Sequence, residues 1–73
     1  MDYPVIDIVE TGERIRELIS GSGHTVTEVA EYLGTSRSLV YRYIRGEVLP
    51  SIDRMLALAV YLEVPMEEII VVA

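Results

Sequence analysis

The sequence predicts an all-α domain of five short helices, with terminal segments able to pair as short strands. Three observations predict it. Apolar residues recur at helical spacing along most of the chain, helix-start and helix-stop residues punctuate it at short intervals, and 73 residues suffice for one small core.

The elements follow in order. Pro4-Val5-Ile6-Asp7-Ile8-Val9 is rich in β-branched residues and reads as a short strand. The first helix is expected from about Gly12 to Ser20, with Thr11 as N-cap, Ile15, Leu18 and Ile19 on one face, and Gly21-Ser22-Gly23 as its end. Thr25-Val26-Thr27-Glu28 fits a capping box, in which hydroxyl and carboxylate satisfy each other's backbone N–H groups. Val26, Val29, Ala30 and Leu33 then form one apolar stripe, and Gly34 sits where a left-handed cap is wanted. Ser36 can cap the next helix at once. Two short helices across a glycine-containing turn make a helix-turn-helix.

The third helix, residues 36–45, divides cleanly on a wheel. With Arg37 at the origin, Tyr41, Arg45, Ser38 and Arg42 fall within an arc of about 140°, and Leu39, Tyr43, Val40 and Ile44 fall opposite. Gly46 ends this helix, and Leu49-Pro50 forces an extended approach to Ser51, a good N-cap. The fourth helix, to about Leu62, is expected to bury Ile52, Met55, Leu56, Ala59 and Leu62, with Ala57, Val60 and Tyr61 on its other side. Pro65 opens a last short helix, with Glu67 and Glu68 in its first turn, where the helix dipole favours carboxylates. Residues 1–11 thus read as an N-terminal extension, 12–70 as the helical domain and 71–73 as an apolar tail. A two-stranded ribbon of the N-terminal segment and Ile70-Val71-Val72 would need support from the first and last helices, or from a second copy.

Composition narrows the function classes. The apolar share is 51% and the mean hydropathy +0.35, yet the longest apolar run, Met55 to Leu62, is too short to span a membrane. Met1-Asp2-Tyr3-Pro4 lacks the basic region of a signal peptide, and the absence of cysteine excludes disulfides and thiolate metal sites, so the expected location is cytoplasmic. With a single histidine, His24, and no glycine-rich phosphate loop, no enzyme constellation can be assembled and no cofactor is expected. The net charge is −6, from six arginines, no lysine and twelve carboxylates. Taken alone this disfavours a nucleic-acid partner. Its distribution argues the other way: residues 36–46 hold Arg37, Arg42 and Arg45 with no acid, a +3 segment on an acidic body. A merely solvated helix face would usually mix in Glu and Lys.

Arg14-Ile15-Arg16-Glu17-Leu18, Thr25 to Ala30, Leu33-Gly34, Ser36-Arg37-Ser38, Arg45-Gly46, Leu49-Pro50-Ser51 and Val64-Pro65-Met66-Glu67-Glu68-Ile69 stand in one order and spacing. In these marks the chain resembles the phage repressor and Cro type of helix-turn-helix, the xenobiotic-response-element family, over about Gly12 to Ile70. The resemblance implies a lambda-repressor-like fold whose third helix lies in the major groove of double-stranded DNA. It places base readers at Arg37, Ser38, Tyr41 and Arg42, where an arginine fork suits the O6 and N7 acceptors of guanine. It places phosphate contacts at Thr25 and Arg45. Two departures stand out: Val26 replaces the family's usual glutamine, and Glu47-Val48-Leu49 replaces a loop that is often basic. Binding is therefore expected to be weaker than for a basic relative, or to need a dimer. The family's common ion pair between the ends of the first and recognition helices falls on Ile19 and Ile44, so an apolar contact is expected instead.

Blander readings suit the other polar and aromatic residues. His24 reads as a partly buried turn residue, Tyr43 as core, Tyr32 and Tyr61 as packing or interface, and Glu63, Glu67 and Glu68 as helix-start electrostatics rather than a cation site. The expected function is sequence-specific DNA binding by a small repressor-like transcriptional regulator, acting as a homodimer, with no membrane partner or small-molecule ligand evident. The alternative is a protein-binding module, antitoxin- or antirepressor-like, that keeps the fold and binds DNA weakly or not at all.

Overall fold

The computed structural model describes residues 3–73; Met1 and Asp2, which begin the segment read as lacking a leader's basic region, lie outside the described residues. Four α-helices are present among them: α1 (Ile8–Ser22), α2 (Val26–Leu33), α3 (Arg37–Ile44) and α4 (Ile52–Leu62). The fifth expected helix is a single 3₁₀ turn, Met66–Glu68. It stops there because Ile69 turns into the core, where it is fully buried, and the tail then runs extended along the start of α1.

Helix α1 starts earlier than the sequence suggests. Asp7, not Thr11, is its N-cap, and its side chain accepts from the Glu10 N–H at 3.0 Å. Thr11 lies inside the helix with no exposure at all. Its hydroxyl accepts from the Val71 N–H at 3.0 Å and donates to the Val71 carbonyl at 3.4 Å, which pins the tail to α1. The two expected strands are replaced by one isolated antiparallel bridge, Ile6 to Val72, within the chain. Asp7 N–H donates to the Val71 carbonyl at 2.8 Å and Ala73 N–H to the Val5 carbonyl at 2.9 Å. A longer ribbon cannot form, because Ile8 and Val9 have already entered the helix.

Helix α1 packs on α3 and α4, and α2 packs on the same two, so the core lies between these pairs. Ile15 and Ile19 from α1, Val29 and Ala30 from α2, and Val40 and Tyr43 from α3 meet Met55, Leu58, Ala59 and Leu62 of α4 and Ile69. Burying these side chains is the main source of stability in so small a domain. Tyr43 is core, as expected, and its hydroxyl accepts from Arg54 Nη1 at 3.4 Å.

Helix α4 presents a different face from the one expected. Met55, Leu58, Ala59 and Leu62 are buried, whereas Ile52 is 75% exposed and Leu56 52% exposed. Because Ile52, Leu56, Val60 and Tyr61 are apolar as well, the sequence of α4 offers more than one apolar face to bury. Tertiary packing decides, and it leaves Ile52, Leu56 and Val60 as an exposed stripe at i, i+4 and i+8.

Candidate nucleic-acid interface

The expected capping box closes in full. Glu28 N–H donates to Thr25 Oγ1 at 3.1 Å, and Thr25 N–H donates to Glu28 Oε1 at 2.8 Å. Gly34, at φ 69°, reverses the chain out of α2 in the left-handed region, where a glycine has no Cβ penalty. Two residues later Ser36 accepts from the Leu39 N–H at 3.2 Å and starts α3. The turn is therefore short because both of its ends are locally capped.

Helix α3 is held from beneath and behind. Val40 and Tyr43 enter the core, with Leu39 and Ile44 packed against it. Behind its C-terminal end α1 approaches backbone to backbone. A Cβ built on Gly12 would collide with the Tyr43 carbonyl oxygen and lie 2.7 Å from that of Ile44. A Cβ on Gly46 would lie 2.7 Å from Val9 Cα. These contacts fix the tilt of α3 and leave its other face to solvent.

That face carries the side chains singled out in the sequence. Arg37, Ser38, Tyr41, Arg42 and Arg45 are all exposed, as is Thr25 at the start of α2. Their electrostatic situations differ. Arg37 forms no ion pair among the described residues, whereas Arg42 and Arg45 share one carboxylate. Arg45 Nε donates to Glu47 Oε2 at 2.6 Å, and Arg42 Nε lies 3.5 Å from Glu47 Oε1. Glu47 titrates below the ordinary carboxylate range, first because it accepts from Arg45; desolvation opposes this, and the charges of Arg45 and Arg42 add to the lowering. The same bond raises Arg45. Glu28 is also lowered, chiefly by the backbone hydrogen bond from Thr25.

The geometry of the helix end explains this arrangement. Glu47 N–H donates to the Arg42 carbonyl at 2.9 Å and Gly46 N–H to the Tyr43 carbonyl at 3.1 Å, with Gly46 at φ 72°. This is a Schellman motif, which sets the second residue beyond the helix beside the one three positions before its cap. An apolar contact commonly fills that place. Here it is Arg42 against Glu47. The sequence reading named Glu47 only as a departure from a basic loop; the spacing Arg-x-x-x-Gly-Glu was the signal for the pair.

On the far side of α2, His24 is half-buried, in agreement with its reading as a turn residue. Tyr61 stacks on Tyr32 with ring centroids 4.3 Å apart and meets His24, whose Nδ1 lies 3.3 Å from the Tyr61 hydroxyl. These aromatics tie α2 to α4 and stand apart from the arginine face.

A capped, glycine-turned helix pair with a cationic outer face defines a helix-turn-helix domain. A family model described as "Helix-turn-helix" matches residues 13–69, and the chain belongs to that family, in its Cro/C1 or xenobiotic-response-element branch of transcriptional regulators. A protein of Pyrococcus furiosus with the provisional name HTH-type transcriptional regulatory protein is 46% identical over 55 residues. Those residues make up 75% of this chain and 18% of that much longer protein. Among solved structures, the restriction-modification controller protein C.AhdI of Aeromonas hydrophila is similar, with a TM-score of 0.79 and 33% identity over 86% of this chain and 96% of that one. SinR, a master regulator for biofilm formation solved in complex with DNA, has a TM-score of 0.73 and 25% identity over 81% of this chain and 95% of that one. No helix among the described residues is long and apolar enough to cross a membrane.

Proposed function

We propose that this domain binds double-stranded DNA sequence-specifically as part of a repressor-like transcriptional regulator, with residues 36–45 in the major groove. The observation that carries the reading is the outward face of α3, exposed, free of acid along the helix and held at a fixed tilt by backbone contact with α1. Arg37, Ser38, Tyr41 and Arg42 are its base readers. Thr25 and Arg45 meet phosphates; the Thr25 hydroxyl already accepts from Glu28 N–H, and it keeps its own proton to donate. The SinR complex with DNA supports the reading by likeness.

The test is selection of bound sequences from a random duplex pool, followed by titration of variants on the selected site. Arg37→Ala and Arg42→Ala should each lose roughly 1 to 3 kcal/mol and relax base preference at one position. Arg45→Ala should weaken all sequences alike and reduce the salt slope by about one unit. Three variants that bind like the parent would reject the assignment of α3. If random duplex is not shifted even at low salt while a stable protein complex is recovered from cells, the protein-binding module replaces this reading.

A second copy of the chain is the expected partner in binding, with two recognition helices meeting half-sites about 34 Å apart. The exposed stripe Ile52, Leu56 and Val60 is the surface that supports it, with Val60 61% exposed. A standard interface takes about 800 Å² from each partner. Against 4618 Å² of total surface, such an interface must extend beyond the stripe to neighbouring residues such as Tyr61 and the apolar tail. Sedimentation at micromolar concentration should give twice the chain mass, reduced to the monomer by Leu56→Glu. A parent mass near 8.2 kDa rejects the dimer.

A further inference from the structure

Glu47 is not among the residues proposed to touch DNA, yet it is the carboxylate with which both Arg42 and Arg45 pair. The closest approach of each guanidinium to it is through Nε. We infer that Glu47 is a specificity-determining residue: it positions Arg42 and Arg45 and at the same time holds a negative charge where a DNA phosphate would otherwise bind. The inference rests on the DNA-binding reading and deepens it.

Two consequences oppose each other, and their balance sets specificity. Any duplex, whatever its sequence, brings phosphates toward Arg45 and must either displace Glu47 or accept its repulsion. That cost falls equally on all sequences. A correct site also gains a base contact from Arg42, whose side chain is long and loses rotamer freedom when it binds. A guanidinium already held at its Nε edge loses less, and this gain is confined to the matching base. Glu47 thus suppresses non-specific binding more than specific binding. Arg37, which has no ion pair among the described residues, is left to supply free charge at the other end of the helix.

The carboxylate does not need burial to act. Its side chain is 47% exposed, as are those of Arg42 and Arg45 at 53% and 55%, so salt screens the pair in solution as it screens any surface ion pair. What keeps Glu47 in place is the backbone: the Schellman bonds from Gly46 and Glu47 to Tyr43 and Arg42 set its Cα beside Arg42 before any charge is counted. Glu47→Gln preserves that backbone and the side-chain length, and removes the charge alone. The site is at the surface, so the variant should melt with the parent.

The experiment titrates parent and Glu47→Gln against the selected site and against random duplex, across salt, and records the arginine Nε–H signals of the DNA-free proteins by NMR. A single phosphate contact corresponds to a factor of about 3 in affinity between 50 and 200 mM salt. Glu47→Gln should raise random-duplex affinity by about 3-fold or more and steepen the salt slope by about 0.9. Affinity for the selected site should rise less, so the ratio of specific to non-specific binding falls. The Arg42 and Arg45 Nε–H signals should lose their protection from exchange with water in the variant, and that of Arg37 should not change. If the parent binds DNA and the variant binds both duplexes with unchanged affinity and salt slope, the inference fails alone. If the parent binds no duplex even at low salt, the DNA-binding reading fails and the specificity role with it, whatever the Nε–H signals show.

Discussion

Replacing Gly12 by alanine is expected to cost about 3 kcal/mol, although the change adds one methyl group inside a helix and alanine is the better helix former. The methyl carbon would collide with the Tyr43 carbonyl oxygen, sit 2.7 Å from that of Ile44 and 3.0 Å from the Gly46 nitrogen. All three are backbone atoms, so no side chain can rotate away, and α1 must separate from the end of α3. For a domain of this size that loss lowers the melting temperature by roughly 12 to 24 °C. Gly21→Ala is the matched control. It lies in the same helix, its added Cβ meets nothing within 4 Å, and it should stabilise by about 0.5 to 1 kcal/mol. Thermal unfolding followed by far-UV circular dichroism reads both. A Gly12→Ala melt within a few degrees of the parent would mean that the backbone approach does not set the packing of α3. The variant should also lose DNA affinity below its melting temperature, because displacing α3 tilts its arginine face.

This contact explains why the start of α1 was not legible in the sequence. Val9, Thr11 and Gly12 are poor helix formers, and an apolar β-branched run before a glycine reads as a strand and a break. In the structure Gly12 is there so that another backbone can approach, and Thr11 is there because a buried hydroxyl can hold the Val71 N–H and carbonyl together. Both reasons are tertiary and lie 30 to 60 residues away in the chain. The local signals fared differently. The capping box at Thr25, the caps at Ser36 and Ser51 and the left-handed Gly34 all lie where the sequence puts them, because each is decided within three or four residues. Exposure of the five candidate contact residues on α3 was legible for the same reason: α3 has one apolar arc, so its other arc must face out. Helix α4 offers apolar residues on more than one side, and which of them is buried was decided by packing. The charge count along α3 was also legible, whereas the Arg42–Glu47 contact was signalled only by the spacing of Arg42, Gly46 and Glu47 across the helix end. That pair depends on how the chain leaves the helix, and a wheel drawn on the helix alone stops before Glu47.

Ile44→Glu is expected to destabilise the domain by about 2 to 3 kcal/mol. Ile44 is half-buried in the last turn of α3 and packs against the core cluster that includes Ile19, itself 4% exposed. A carboxylate there loses apolar contact and part of its hydration, and it also faces the negative end of the helix dipole. The family resemblance implies a glutamate at this place opposite an arginine at the place of Ile19, so the cost reflects the missing partner rather than the residue type. Ile19→Arg alone should be at least as damaging, since it puts a cation in the core with no acid to meet it. In the double variant the two charges should couple favourably by about 1 kcal/mol or more, so that their losses do not add. The double variant should still not exceed the parent, because an ion pair must first overcome the desolvation that two isoleucines never incur. Denaturant melts of the four proteins give the coupling directly. Strict additivity would show that positions 19 and 44 do not face each other, and a parent-like melt for Ile44→Glu would show that this end of α3 is wetter than its packing implies.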